Sequence, residues 1–151
     1  MAKFIFKMES ILSIKIKLED QAKAEYGLEV IKLREEEEKL AALHVRKQKF
    51  ESELDIALRD TLDIMNIRRL MDSVENIKYN IRFQMVVIKE QEMRVAKARE
   101  KLDDAMKERK TYEKLKENAF EAFKAEINAQ EQKEVDELVS FRFHNALESE
   151  G

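Results

Sequence analysis

The chain has 151 residues, 40% charged and 44% hydrophobic, with two glycines and neither proline nor cysteine. So few backbone breakers favour long helices and leave too few turn residues for β-sandwiches or βαβ arrays, while the glycine spacing excludes phosphate-cradling loops and the missing cysteines exclude disulfide, thiolate and cysteine-zinc chemistry. A net charge of -3, from 29 basic and 32 acidic residues, gives no general attraction for nucleic acid or anionic lipid, so no nucleic-acid partner is expected.

The first segment, 1–17, mixes Phe4, Ile5, Phe6, Met8, Ile11, Leu12, Ile14 and Ile16 with Lys3, Lys7, Lys15 and Lys17. It is too short and too often interrupted by charge for a signal peptide or a membrane span, which points to a soluble cytoplasmic protein. Its apolar surface exceeds what one neighbouring helix covers. Docking into a partner's hydrophobic collar, contact with an anionic membrane and ordinary coiled-coil packing all remain open for it.

A first helical arm is predicted over about 4–59. Its inward stripe reads Leu33, Leu40 and Leu54 in one row and Leu43, Phe50, Ala57 and Ile64 in the other, with Glu36 and Lys47 at the remaining seam positions. Upstream, Ile11, Ile14, Leu18, Ala22 and Tyr26 run in successive steps of four after the first, which predicts a stutter and local unwinding. Gly27 is read as tolerated inside the helix. The run Glu35–Glu38 points in four directions and reads as a solvated face, not a cation site.

A tip is expected over about 60–66, where Asp60, Thr61 and Asp63 can cap a new helix. The second arm, about 67–145, carries the stronger seam. Ile67, Val74, Ile81, Ile88, Val95 and Leu102 form one row, and Leu70, Ile77, Ala98, Ala105, Tyr112 and Ala119 the other. Gln84, Gln91, Arg109 and Lys116 interrupt it and can fix register, and Phe123 resumes it. Glu35/Lys39, Glu90/Arg94 and Asp103/Lys107 have favourable spacing for ion pairs within a helix. The aromatic and aliphatic cluster of Phe120, Phe123, Ile127, Val135, Leu138, Val139, Phe141 and Phe143 lies beyond the reach of the shorter first arm, ahead of a frayed C-terminus. It can fold over the opposite terminus or enter a partner.

A single helix of this length would need a partner chain along its whole seam, whereas a hairpin covers the seam internally. The predicted fold is therefore all-α: one long two-helix antiparallel coiled-coil hairpin over 1–151, roughly 90 to 120 Å long, with no second globular domain. Two packed helices enclose no space for a catalytic site, and His44 and His144 lack neighbouring ligands at metal spacing. No enzyme activity, cofactor or metal is expected.

The opening Phe6-Lys7-Met8-Glu9-Ser10-Ile11-Leu12-Ser13-Ile14-Lys15, the charged first helix, Tyr112-Glu113-Lys114-Leu115-Lys116 and Gln132-Lys133-Glu134-Val135-Asp136-Glu137-Leu138 together resemble the flagellar export protein FliJ family, over nearly the whole chain. The resemblance implies a noncatalytic component of the flagellar type III export apparatus, similar to the central stalk of rotary ATPases. Its termini would insert into the hexameric export ATPase, with Phe4, Phe6, Met8, Ile11, Leu12, Phe141 and Phe143 as docking residues. The resemblance also implies contact with the export gate's cytoplasmic domain through Lys39, Leu43, Arg46, Phe50, Leu70, Val74, Ile77 and Ile81. Arg46 stands where an aromatic, and Ile81 where a histidine, is expected from the pattern of enterobacterial members. Six of those eight lie in the seam rows, so holding the arms together is the competing role. Export chaperones are further implied partners, and any membrane association at the inner face of the flagellar base would run through the apparatus. The alternatives are a homodimeric coiled-coil scaffold and a membrane-surface protein using 1–17.

Overall fold

The computed structural model describes residues 2–60 and 63–150, with the side chain of Glu150 excepted. Thr61, expected as a cap, and Met1 lie outside the described residues. The fold is all-α: helix α1 spans Glu9–Arg59 and helix α2 spans Ile64–Glu150, the two pack against each other, and no strand occurs among the described residues.

Local chemistry accounts for the helix ends. The Met8 carbonyl accepts from the Leu12 N–H at 2.9 Å, so α1 begins after Met8, and Glu9 in its first turn suits the positive end of the helix dipole. Residues 2–6 precede the helix, which therefore starts later than the expected fourth residue. Asp63 is the N-cap of α2: its carbonyl accepts from Ile67 N–H at 2.9 Å and its Oδ1 from Asn66 N–H at 3.3 Å. The cap corrects one seam residue. Ile64, expected in the first-arm row, is the first residue of α2 and is exposed. At its far end α2 stays helical to Glu150, where fraying was expected after 145. Gly27 lies inside α1 with no positive φ, and apart from its chain neighbours and the adjoining helix backbone no heavy atom lies within 4 Å of where its Cβ would be.

Packing divides the chain into two units, Glu19–Asp104 and the pair Met1–Leu18 with Ala105–Gly151. In the unit Glu19–Asp104, Gln84 reaches Glu36 and Gln91 reaches Glu29, so rising numbers on α2 meet falling numbers on α1 and the helices are antiparallel. The two pairs are one heptad apart. Steps of seven in each direction bring Ala22 level with Ala98, Leu43 with Ile77 and Phe50 with Leu70. Ala22, Ala98, Ile77 and Leu70 are buried, and Leu43 and Phe50 half-buried. The layers are thus apolar at both ends of this row and polar at the two Gln–Glu positions.

Along α1 the residues turned inward are Leu12, Lys15, Glu19, Ala22, Tyr26, Glu29, Leu33, Glu36, Leu40, Leu43, Lys47, Phe50, Leu54 and Ala57, in unbroken alternation of three and four. The stutter expected from Ile11, Ile14 and Leu18 is therefore absent from the seam: those three are exposed, and Lys15 and Glu19 take inward positions. A polar side chain can occupy a seam when its head group finds a partner or reaches water along its own stem. Lys15 donates to Glu108 at 2.8 Å across the helix pair, and Glu19 lies 3.5 Å from Lys23.

On α2 every expected seam residue from Ile67 to Phe123 is buried or half-buried, including Gln84, Gln91, Arg109 and Lys116. The expected surface pairs rearrange. Lys39 meets Glu36 instead of Glu35, Asp103 meets Arg99 instead of Lys107, and no ion pair joins Glu90 to Arg94 among the described residues.

Candidate functional site

In the unit formed by Met1–Leu18 and Ala105–Gly151, the segment before α1 folds back onto α2. Phe4 stacks edge-on against Phe120 with ring centroids 5.1 Å apart and lies tilted 5.4 Å from Phe123. Ion pairs fix the same juncture: Lys116 reaches Glu9 at 2.8 Å, and Lys15 combines its bond to Glu108 with a position 5.8 Å above the Tyr112 ring. The Lys15 ammonium is held above its ordinary pKa, chiefly by that hydrogen bond to Glu108. An open groove of about 490 Å³ runs between 3–8 and the α2 residues Ala119, Ala122 and Phe123.

The expected terminal docking residues divide by geometry. Phe4 and Phe6 are half-buried, Met8 and Ile11 are exposed, and Leu12 is buried against α2. Phe120 and Phe123, expected in one cluster with the residues beyond them, are already occupied with Phe4. From 128 to 149 every residue is exposed. Along that stretch Val135, Val139, Phe143 and Leu147 recur at steps of four along α2, Leu138 lies beside Val135, and Phe141, three residues beyond Leu138, lies at the edge of the set. Nothing within this unit covers that face among the described residues, whose contacts there are local, such as Gln132 to Asp136 and His144 to Glu148.

The middle set falls in the unit Glu19–Asp104. Lys39 and Arg46 are exposed, and Leu43 and Phe50 half-buried. Leu70, Val74, Ile77 and Ile81 are 3–8% exposed, so in this fold they serve the seam. Sequence reasoning passed over a set that the structure leaves open, Tyr79, Phe83, Val86 and Met93, all more than half exposed. Their spacing is visible in the sequence, but the stronger seam row that alternates with them masks it.

Two polar clamps lie within the same seam. Each glutamine amide donates both to the backbone carbonyl and to the carboxylate of one glutamate: Gln84 to Glu36 at 3.0 and 2.5 Å, Gln91 to Glu29 at 3.0 and 2.6 Å. The Glu36 carboxyl is held below its ordinary pKa, first by the Gln84 hydrogen bond and then by Lys39. A depressed carboxyl contributes stability that is fully present above its unfolded pKa and is lost as pH falls through the folded value. The stability difference between the intact chain and Glu36→Gln is thus expected to be largest near neutrality and to shrink below about pH 4, read from thermal unfolding across that range. A difference independent of pH would show that the carboxylate is not the clamped species.

No helix among the described residues is long and apolar enough to cross a membrane, and no group of three or more His, Cys, Asp or Glu among them could hold a metal ion. Comparison with known proteins then places the sequence. No solved structure matches it. Over 135 residues it is 27% identical to the flagellar FliJ protein of Bacillus subtilis (strain 168), covering 88% of this chain and 90% of that relative. The family model described as flagellar FliJ protein matches residues 4–148. With antiparallel seams in both units and a family match across nearly its whole length, the chain belongs to the FliJ family of flagellar proteins.

Proposed function

We propose that this protein is a noncatalytic component of the flagellar export apparatus, a stalk whose terminal unit enters the hexameric export ATPase and promotes its assembly and activity. One observation carries this reading. The same unit gathers the aromatic segment before α1 and an α2 extension whose apolar residues Val135, Leu138, Val139, Phe143 and Leu147 are all more than half exposed. Apolar surface on that scale is stabilised by a partner's hydrophobic lining. The docking set is Phe4, Phe6, Met8, Ile11, Phe141 and Phe143, while Leu12 acts indirectly by pinning α1 to α2. Contact with the export gate's cytoplasmic domain draws on the accessible Lys39 and Arg46 and the edges of Leu43 and Phe50. Such a stalk sits at the cytoplasmic face of the inner membrane through its partners, and export chaperones are further candidates for its surface.

The deciding experiment titrates the ATP hydrolysis rate of a hexameric flagellar export ATPase with the intact chain and with a variant lacking residues 2–8. Saturable stimulation by the intact chain, lost in a variant that keeps its helical circular-dichroism signal, is the expected result. Equal stimulation by both refutes the role of the N-terminal segment. Neither stimulation nor binding by the intact chain refutes the stalk and leaves a structural coiled coil.

A further inference from the structure

The unit Glu19–Asp104 carries a second apolar row on the side of α2 turned away from α1. Counted from the seam residues Ile81, Gln84 and Ile88, the outward heptad positions fall on Tyr79, Phe83, Val86, Glu90 and Met93, at steps of four, three, four and three. The four apolar members are 55–72% exposed. Single exposed apolar residues need no explanation, but a row of four large ones on a highly charged helix, broken once by Glu90, does. The alternation of steps also says what fits there. The row is a narrow stripe of the kind into which the side chains of another helix interlock, whereas a helix lying on a membrane presents a wider apolar face.

Charge narrows the occupant further. No acidic residue occurs from Asn76 to Lys89, while Lys78, Arg82 and Lys89 flank the row. Lys78 is engaged by Glu75 at 3.5 Å. Arg82 and Lys89 have no carboxylate within 4 Å among the described residues, although acidic residues are plentiful in the chain. Beyond Phe83 and Val86 the row continues to Met93, which lies in an open surface concavity bordered by Glu90, Arg94 and Lys97.

We infer that the outer face of α2 from Tyr79 to Met93 docks a helix of a partner protein whose apolar row is flanked by acidic residues. The docked helix would lay its apolar side chains between Tyr79, Phe83, Val86 and Met93 and set its carboxylates against Arg82 and Lys89. This surface is separate from the termini and from the residues assigned above to the export gate, so it stands whether or not the stalk reading does.

The test uses the intact chain and a labelled synthetic helix of about three heptads, with leucine at both seam positions and glutamate beside them, followed by fluorescence anisotropy. A second peptide with lysine in place of each glutamate shares the apolar row. The acidic peptide should bind saturably, and binding should weaken by about tenfold or more for the lysine peptide and for Phe83→Glu/Val86→Glu. That double variant should keep its melting temperature, because neither residue belongs to the seam. Equal binding of the two peptides overturns the inference, as does undiminished binding to the double variant, which would mean that the peptide invades the buried seam. Co-sedimentation with phosphatidylglycerol vesicles that the double variant loses, without binding of the acidic peptide, would assign the face to lipid. A dimer in sedimentation that the double variant abolishes would assign it to a second copy of the chain.

Discussion

Replacing Ile77 with alanine is expected to lower the unfolding free energy by about 2–4 kcal/mol, while Tyr79→Ala, two positions along the same helix, changes it by less than about 0.5 kcal/mol. Ile77 is 3% exposed, Tyr79 62%. The register set by Gln84 opposite Glu36 brings Ile77 level with Leu43, and Leu70, Val74 and Ile81 lie buried in the neighbouring turns. A two-helix layer has no third element to collapse into the gap, so the removed atoms leave both a lost transfer energy and an unfilled cavity. Urea unfolding of the two variants beside the intact chain measures both changes. Comparable losses at the two positions would mean that the outer row is covered in the isolated chain. A negligible loss at Ile77 would mean that the seam register is not the one described.

The contrast between those neighbours also shows how far the sequence could be read. From Ile67 to Phe123 the seam of α2 was legible because apolar residues repeat there at seven, and even its polar members, Gln84, Gln91, Arg109 and Lys116, fell in the inward rows. The upstream part of α1 was not legible in the same way. Ile11, Ile14 and Leu18 are more apolar than Lys15 and Glu19, so a count of apolar residues shifts the phase by one and manufactures a stutter. Partners on the other helix decide the matter: Glu108 and Tyr112 receive Lys15, and a single sequence does not reveal that pairing before the register is known. The same limit applied to the terminal site. The apolar character of both ends was visible, but that Phe120 and Phe123 would be engaged by Phe4, while the residues past 127 stay uncovered, depends on where the chain turns. On α2 the outer row was hidden for the opposite reason. Tyr79, Phe83, Val86 and Met93 repeat as a seam does, yet beside a stronger seam they read as the incidental exposed residues of a charged helix.

A chain that stops at Ala129 should keep its unfolding midpoint within about 2–4 °C of the intact protein and, on the proposed stalk role, lose about 100-fold or more in affinity for the export ATPase. The two halves of this expectation have separate causes. Residues 128–149 are exposed throughout, and their described contacts are local ones such as Gln132 to Asp136 at 3.2 Å and Ser149 to the Ala146 carbonyl at 3.0 Å. Most helical stability comes from packing against other elements, so an extension without such packing adds little to the stability of the seam that precedes it. Its apolar face is a different matter. Val135, Leu138, Val139, Phe143 and Leu147 are between 51% and 67% exposed, and fully burying a side chain of this size contributes about 1.5–3 kcal/mol, of which ordering the segment in a collar consumes a share. Several such anchors acting together exceed what a hundredfold change in affinity requires. Melting curves and ATPase titrations on the same preparations separate the outcomes. A fall of more than about 10 °C would make the extension part of the folded core, and stimulation equal to that of the intact chain would leave the docking to Phe4, Phe6 and their neighbours alone.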